Sequence, residues 1–178
     1  AESPGISEAI GKDLFAQAFA VSGKRILGVC GGMQMLGRQI FDPNHLESGD
    51  SRGLGLLDLT TTLAPDKVTQ QRETQWQGGI VQGYEIHHGQ TQAGPQVQPH
   101  LADGLGWQQG NIYGVYVHGL FENTAYRQWF LEQLGWRGVA TDWAATVEAE
   151  LERAAALITT SGWRLEPSET LMSRCNGG

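Results

Sequence analysis

The sequence predicts an α/β fold with a mostly parallel sheet flanked by helices, on three observations. Short apolar runs alternate with amphipathic helical segments. The run over residues 26–29 passes through Cys30-Gly31-Gly32 straight into a helical pattern, which reads as strand, sharp turn, helix. The β-branched and aromatic run over residues 112–117 is the strongest strand signal, and it stops at His118-Gly119.

The elements follow in order. Residues 7–22 place Ile10, Leu14, Phe15, Ala18 and Phe19 at three- and four-residue spacings, a helix with Ser7 as its N-cap. After strand 26–29 a helix is expected over residues 33–40. Residues 42–52 carry Pro43 and Gly49 and read as a surface loop. Short strands are expected over residues 54–59 and 80–86. The glutamines crowding residues 70–109 read as solvated loop. Asn123 is placed to cap a helix running through Leu134 and ended by Gly135. Val147, Leu151, Ala154 and Ile158 share one face of a helix over residues 143–158. No repeat or linker interrupts the pattern, so one domain is expected over residues 1–160, followed by a loosely held polar tail over 161–178.

Composition excludes several function classes. Twelve Lys plus Arg stand against 19 Asp plus Glu, a formal charge of -7, and no basic run exists to neutralise a phosphate backbone. Nucleic acid is not an expected partner. No apolar stretch approaches the roughly 20 residues that cross a bilayer, and no signal peptide opens the chain, so a cytoplasmic protein is expected. Two cysteines, Cys30 and Cys175, cannot make a disulfide framework or a thiolate zinc site. No His-x-x-x-His pair exists, and His87 and His88, adjacent in a strand, point to opposite faces, so no metal site is expected.

The chemistry concentrates at Gly28-Val29-Cys30-Gly31-Gly32, which has the form of a nucleophile elbow with cysteine in place of serine. A side chain between strand and helix sits in a strained turn, and the positions two before and two after must be small. The helix that follows aims its unpaired N–H groups at the sulfur, which is expected to lower the thiol pKa, and the N–H of Gly31 can also receive an oxyanion. The alternative is a buried structural cysteine, which the flanking glycines disfavour. Cys175 has no such context. A thiol nucleophile needs a proton acceptor. Of five histidines, His118 follows the strongest strand at the sheet edge where sites lie. His87 and His88 rank second, and His45 and His100 read as solvated loop residues.

The string over residues 28–37, together with Gly53-Leu54-Gly55-Leu56-Leu57, Gly83-Tyr84-Glu85-Ile86-His87 and the stretch from Val115 to Asn123, resembles the amidotransferase domains of the cobyric acid synthase family. These belong to the class I (triad-type) glutamine amidotransferases. The resemblance covers roughly residues 3–158. It implies a flavodoxin-like amidotransferase fold, here lacking its first strands, and a glutaminase with Cys30 as nucleophile and His118 as proton shuttle. Gly31 and Gly5 would supply oxyanion N–H groups, and Gln34 would contact substrate glutamine. The glutamate that most triad enzymes carry two residues after the histidine is Leu120 here. Glu85, or less readily Glu122, would orient His118 instead. The chain holds no phosphate-cradling G-x-x-x-x-G-K-[ST] segment, so no cofactor is expected in it. ATP and Mg are expected only in a synthetase domain outside this sequence, through which cobyrinic acid diamide would be the partner substrate. A stand-alone glutaminase subunit serving another amidating ligase, and a non-catalytic docking domain, are the alternatives.

Overall fold

The computed structural model describes residues 22–160. The helix expected over residues 7–22, save Ser22 in a turn, lies outside them, as do Gly5 and the tail. The chain divides into two compact units, Ala1–Ala140 and Thr141–Gly178.

In the first unit, β1 (Ile26–Val29) leads through Cys30 into α1 (Gly31–Leu36), a helix shorter than expected. It stops because the Gly37 N–H returns to the carbonyls of Met33 and Gln34, and the chain then extends into β2 (Gln39–Phe41). In the loop that follows, β3 (Ser51–Arg52) pairs with β2. Asp42 is buried there, its carboxylate accepting the N–H groups of Leu46, Glu47 and Gly49. One carboxylate thereby organises a segment that composition marks only as polar.

The largest departure from expectation is the long antiparallel hairpin of β4 (Leu59–Trp76) and β5 (Gly79–Ala93): β4 runs mostly where loop was expected, and β5 contains the strand expected over residues 80–86 and continues it to Ala93. The strand expected over residues 54–59 begins only at Leu59. Leu59, Thr61 and Leu63 alternate inward, while most of the glutamines lie on exposed positions of the ribbon. Period two is present, but threonine carries part of it, so hydrophobicity alone misses it. Pro65 falls where the register shifts between Leu63 and Val68, a bulge in which its missing N–H costs no ladder bond.

Strands β6 (Gln98–Leu101), β7 (Gly106–Gln109) and β8 (Ile112–Val115) complete the sheet, in the order β1-β8-β7-β6-β4-β2-β3 with β5 on β4. The α/β class holds. The sheet is mixed rather than mostly parallel among the described residues: β1 with β8 and β2 with β4 are parallel, the other pairs antiparallel. Short connections join β4 to β5, β6 to β7 and β7 to β8 and make each an antiparallel pair, while β5 and β6 both run antiparallel to β4. Met33 and Leu36 of α1 pack with Leu57, Val115 and Val117 in the core.

A 3₁₀ turn (Leu120–Glu122) precedes α2 (Thr124–Gln133). Asn123 stands at the expected N-cap position but makes no side-chain cap. Its amide instead accepts the Gln82 N–H at 2.8 Å and donates to the Gln82 carbonyl at 2.7 Å, fastening β5 to this turn. In the second unit, α3 (Trp143–Thr160) runs over the expected helix and two residues further, with Val147 and Leu151 exposed. No helix among the described residues is long and apolar enough to cross a membrane.

His100 corrects another expectation. It lies not in solvent but in the core, with Nε2 2.8 Å from the Tyr126 hydroxyl and the rings of Tyr113 and Trp129 close by. Burial pushes its pKa down to about 4. The unfolded chain takes a proton near 6.5 that the folded His100 refuses until about 4. Stability from this source is therefore complete above pH 6.5 and drains away towards pH 4, by up to about 3 kcal/mol. Urea midpoints measured between pH 7 and 4.5 should fall for the natural chain, and the fall should be distinctly shallower in His100→Phe.

Candidate active site

Cys30 leaves the carboxyl end of β1 with φ 52° and ψ -113°, a backbone conformation costly for a residue with a Cβ. Two hydrogen bonds enforce it. The Cys30 N–H donates to the Val115 carbonyl at 2.8 Å, and the Cys30 carbonyl accepts the Gln34 N–H at 3.2 Å. Gly28 makes the turn possible: a Cβ there would lie 2.6 Å from the carbonyl carbon of Gly32 and 2.6 Å from a methyl of Leu36. Gly32 itself faces no such limit, since among the described residues no atom comes within 4 Å of a Cβ built on it. The steric demand of the elbow thus falls on its first glycine.

The sulfur of Cys30 donates to the Ile86 carbonyl of β5 at 3.6 Å. Burial pushes the thiol up, and although the Gly31 N–H draws it down, the net direction is upward. Glu47 raises it further and Lys67 lowers it. The expected depression of the thiol pKa is therefore overturned. A helix of six residues has few dipoles to align, and desolvation of the anion outweighs them.

His118 lies on the same sheet edge. β1 and β8 run parallel with Val29 opposite Val115, so Cys30 and His118 both follow the carboxyl ends of neighbouring strands. The backbone of His118 pairs with Tyr84 of β5, its N–H donating at 2.8 Å and its carbonyl accepting at 3.1 Å. Gly83 permits that approach, because a Cβ there would sit 2.2 Å from the His118 carbonyl oxygen. The His118 ring stacks on the Tyr84 ring, centroids 5.0 Å apart and planes 11° apart. Nε2 of His118 is buried with no hydrogen-bond partner among the described residues. Leu120, two residues on, is in the core. Residues 84–86 of β5 consequently touch both Cys30 and His118.

The other site candidates are placed differently. Glu85 is 3% exposed and turns to His87, not His118: its carboxylate lies 3.1 Å from Nε2 of His87, 2.7 Å from Nε of Arg72 and 2.5 Å from the amide of Gln70. Burial pushes its pKa up, but those three hydrogen bonds and the Arg72 charge outweigh burial and hold it low. The alternation of β5 explains the correction, since Glu85 and Tyr84 face opposite sides. The Gln34 amide and the Tyr116 hydroxyl both line the space over Gly89, and that hydroxyl also meets Thr91 at 2.6 Å. Glu122 is exposed, its carboxylate about 3.5 Å from the Cβ position of Gly119. Tyr84, Ile86 and Tyr116 escaped the sequence reading. For Tyr84 and Ile86 the only signal was their place in the Gly83-to-His87 segment.

A family profile described as "CobB/CobQ-like glutamine amidotransferase domain" matches residues 7–126, 120 of the 178. The chain belongs to this family. Among relatives of the amidotransferase domain, the cobyric acid synthase of Deinococcus radiodurans is 51% identical over 120 residues, 63% of this chain and 25% of that protein. The cobyric acid synthase of Rhodobacter capsulatus is 40% identical over 159 residues, 84% of this chain and 33% of its own. The chain thus spans a quarter to a third of the length of the curated relatives it matches. A glutamine amidotransferase crystal structure shares its fold, with TM-score 0.55 and 15% identity over 73% of this chain and 71% of that one.

Proposed function

We propose that this amidotransferase domain hydrolyses glutamine through a Cys30 thioester, with His118 as the proton carrier. The observation that carries the reading is a strained cysteine at the carboxyl end of β1, with His118 following the carboxyl end of the neighbouring strand and its Nε2 buried without a hydrogen-bond partner among the described residues. Burial disfavours the thiolate, so attack needs a general base, and His118 fills that role. The thiol proton passes to His118 while Sγ bonds the side-chain amide carbon of glutamine. The oxyanion formed there faces the Gly31 N–H. His118 returns the proton to the amide nitrogen, the C–N bond breaks, and ammonia leaves a glutamyl thioester. Water, deprotonated by His118, then cleaves the thioester to give glutamate and the free thiol.

The ammonia would feed ATP-dependent amidation of the b, d, e and g carboxylates of adenosylcobyrinic acid a,c-diamide, carried out by a synthetase region beyond these residues. The names of the relatives support that assignment. Incubation with 6-diazo-5-oxo-norleucine, a glutamine-like electrophile, followed by peptide mass spectrometry, tests the reading. One adduct on Cys30, blocked by excess glutamine, is expected. A folded protein that takes no adduct would support a docking domain instead.

A further inference from the structure

We infer that Tyr84 is the positioning residue for His118, its aromatic face doing what a carboxylate does in a catalytic triad; this rests on the glutaminase reading above. In a triad the third group fixes the imidazole plane and steadies the imidazolium that forms when the nucleophile is deprotonated. Among the described residues no carboxylate hydrogen-bonds Nε2 of His118. Leu120 occupies the triad position and is buried in the core, and Glu85 is committed to His87, Arg72 and Gln70 on the other face of β5. What His118 has is a ring: Tyr84 stacked at 5.0 Å and 11°. That separation lies within the roughly 6 Å over which an aromatic face attracts a cation. A near-parallel, offset stack also restricts rotation about the imidazole's last torsion.

The placement of that ring is itself held. Tyr84 and His118 exchange two backbone hydrogen bonds, Gly83 admits the His118 carbonyl, and Asn123 grips both backbone groups of Gln82. Two residues further along the same edge of β5, the Ile86 carbonyl receives the Cys30 thiol. One stretch of β5 therefore sets the imidazole through a side chain and the sulfur through a carbonyl. The arrangement predicts that the π face, not the hydroxyl and not mere bulk, matters.

Tyr84→Phe and Tyr84→Leu separate these possibilities. At 43% exposure the residue is not part of the core, so both variants should fold. In the complete protein, Tyr84→Phe should keep glutaminase kcat within about threefold. Tyr84→Leu should lower kcat roughly 3- to 30-fold with KM for glutamine little changed, the span expected for a lost cation–π contact. Proton NMR of the His118 ring gives a readout independent of turnover. Its signals should move when the Tyr84 ring is removed in Tyr84→Leu and stay near their original positions in Tyr84→Phe. Equal kcat in both variants, a change confined to KM, or His118 signals indifferent to Tyr84→Leu would overturn the inference. A natural protein with no glutaminase activity would instead sink the proposed function, and the NMR result would still stand or fall by itself.

Discussion

Cys30→Ser should abolish glutaminase turnover, by at least ~10³-fold, while leaving the melting temperature close to that of the natural chain. Serine occupies nearly the same space, and the two bonds that hold the strained turn, from the Cys30 N–H and to the Cys30 carbonyl, are backbone bonds that survive the change. The thiol donates to the Ile86 carbonyl, and a serine hydroxyl can do the same. The loss therefore reads chemistry alone. A hydroxyl is far harder to deprotonate than even this upward-shifted thiol, and one imidazole lacking a carboxylate partner is a weak base for the task. Steady-state ammonia release decides the matter. A Cys30→Ser protein that hydrolyses glutamine at the natural rate would move the nucleophile elsewhere and leave the strained turn without a purpose.

The placement of Cys30 and His118 after neighbouring strand ends was readable from the sequence because both positions are announced locally. Glycines bracket the cysteine, the first of them at a position where only a small residue fits, and a β-branched run ends at the histidine. The partner of Glu85 was not readable for the opposite reason. Which carboxylate faces which histidine depends on the side of β5 each residue takes and on which β4 side chains, Gln70 and Arg72, lie opposite. The β4–β5 hairpin was hidden because its threonines and glutamines carry little hydrophobic contrast. His100 looked solvated since its neighbours in sequence are polar, and the aromatic cluster that buries it arrives largely from β8 and α2. The thiol's upward shift is a balance of burial against one N–H, and burial is not written in a motif.

His118→Asn should lower kcat by ~10²–10⁴-fold, the usual value of a positioned proton carrier, with KM for glutamine changed only a few-fold. Asparagine keeps the two backbone bonds to Tyr84, so the sheet edge stays in place. His87 is the competing base: it stacks on Tyr116 at 3.7 Å, and Tyr116 interacts electrostatically with Cys30. The two histidines differ in what their nitrogens can offer. Nδ1 of His87 lies 2.8 Å from the Gly89 carbonyl and Nε2 lies 3.1 Å from Glu85, so neither is open to a thiol proton. Nε2 of His118 is buried and unpartnered among the described residues, a cost of about 1–3 kcal/mol that a hydrogen bond from the thiol or to the leaving nitrogen would relieve. Near-natural turnover in His118→Asn, with loss in His87→Asn, would transfer the role to His87 and require its ring to leave both partners.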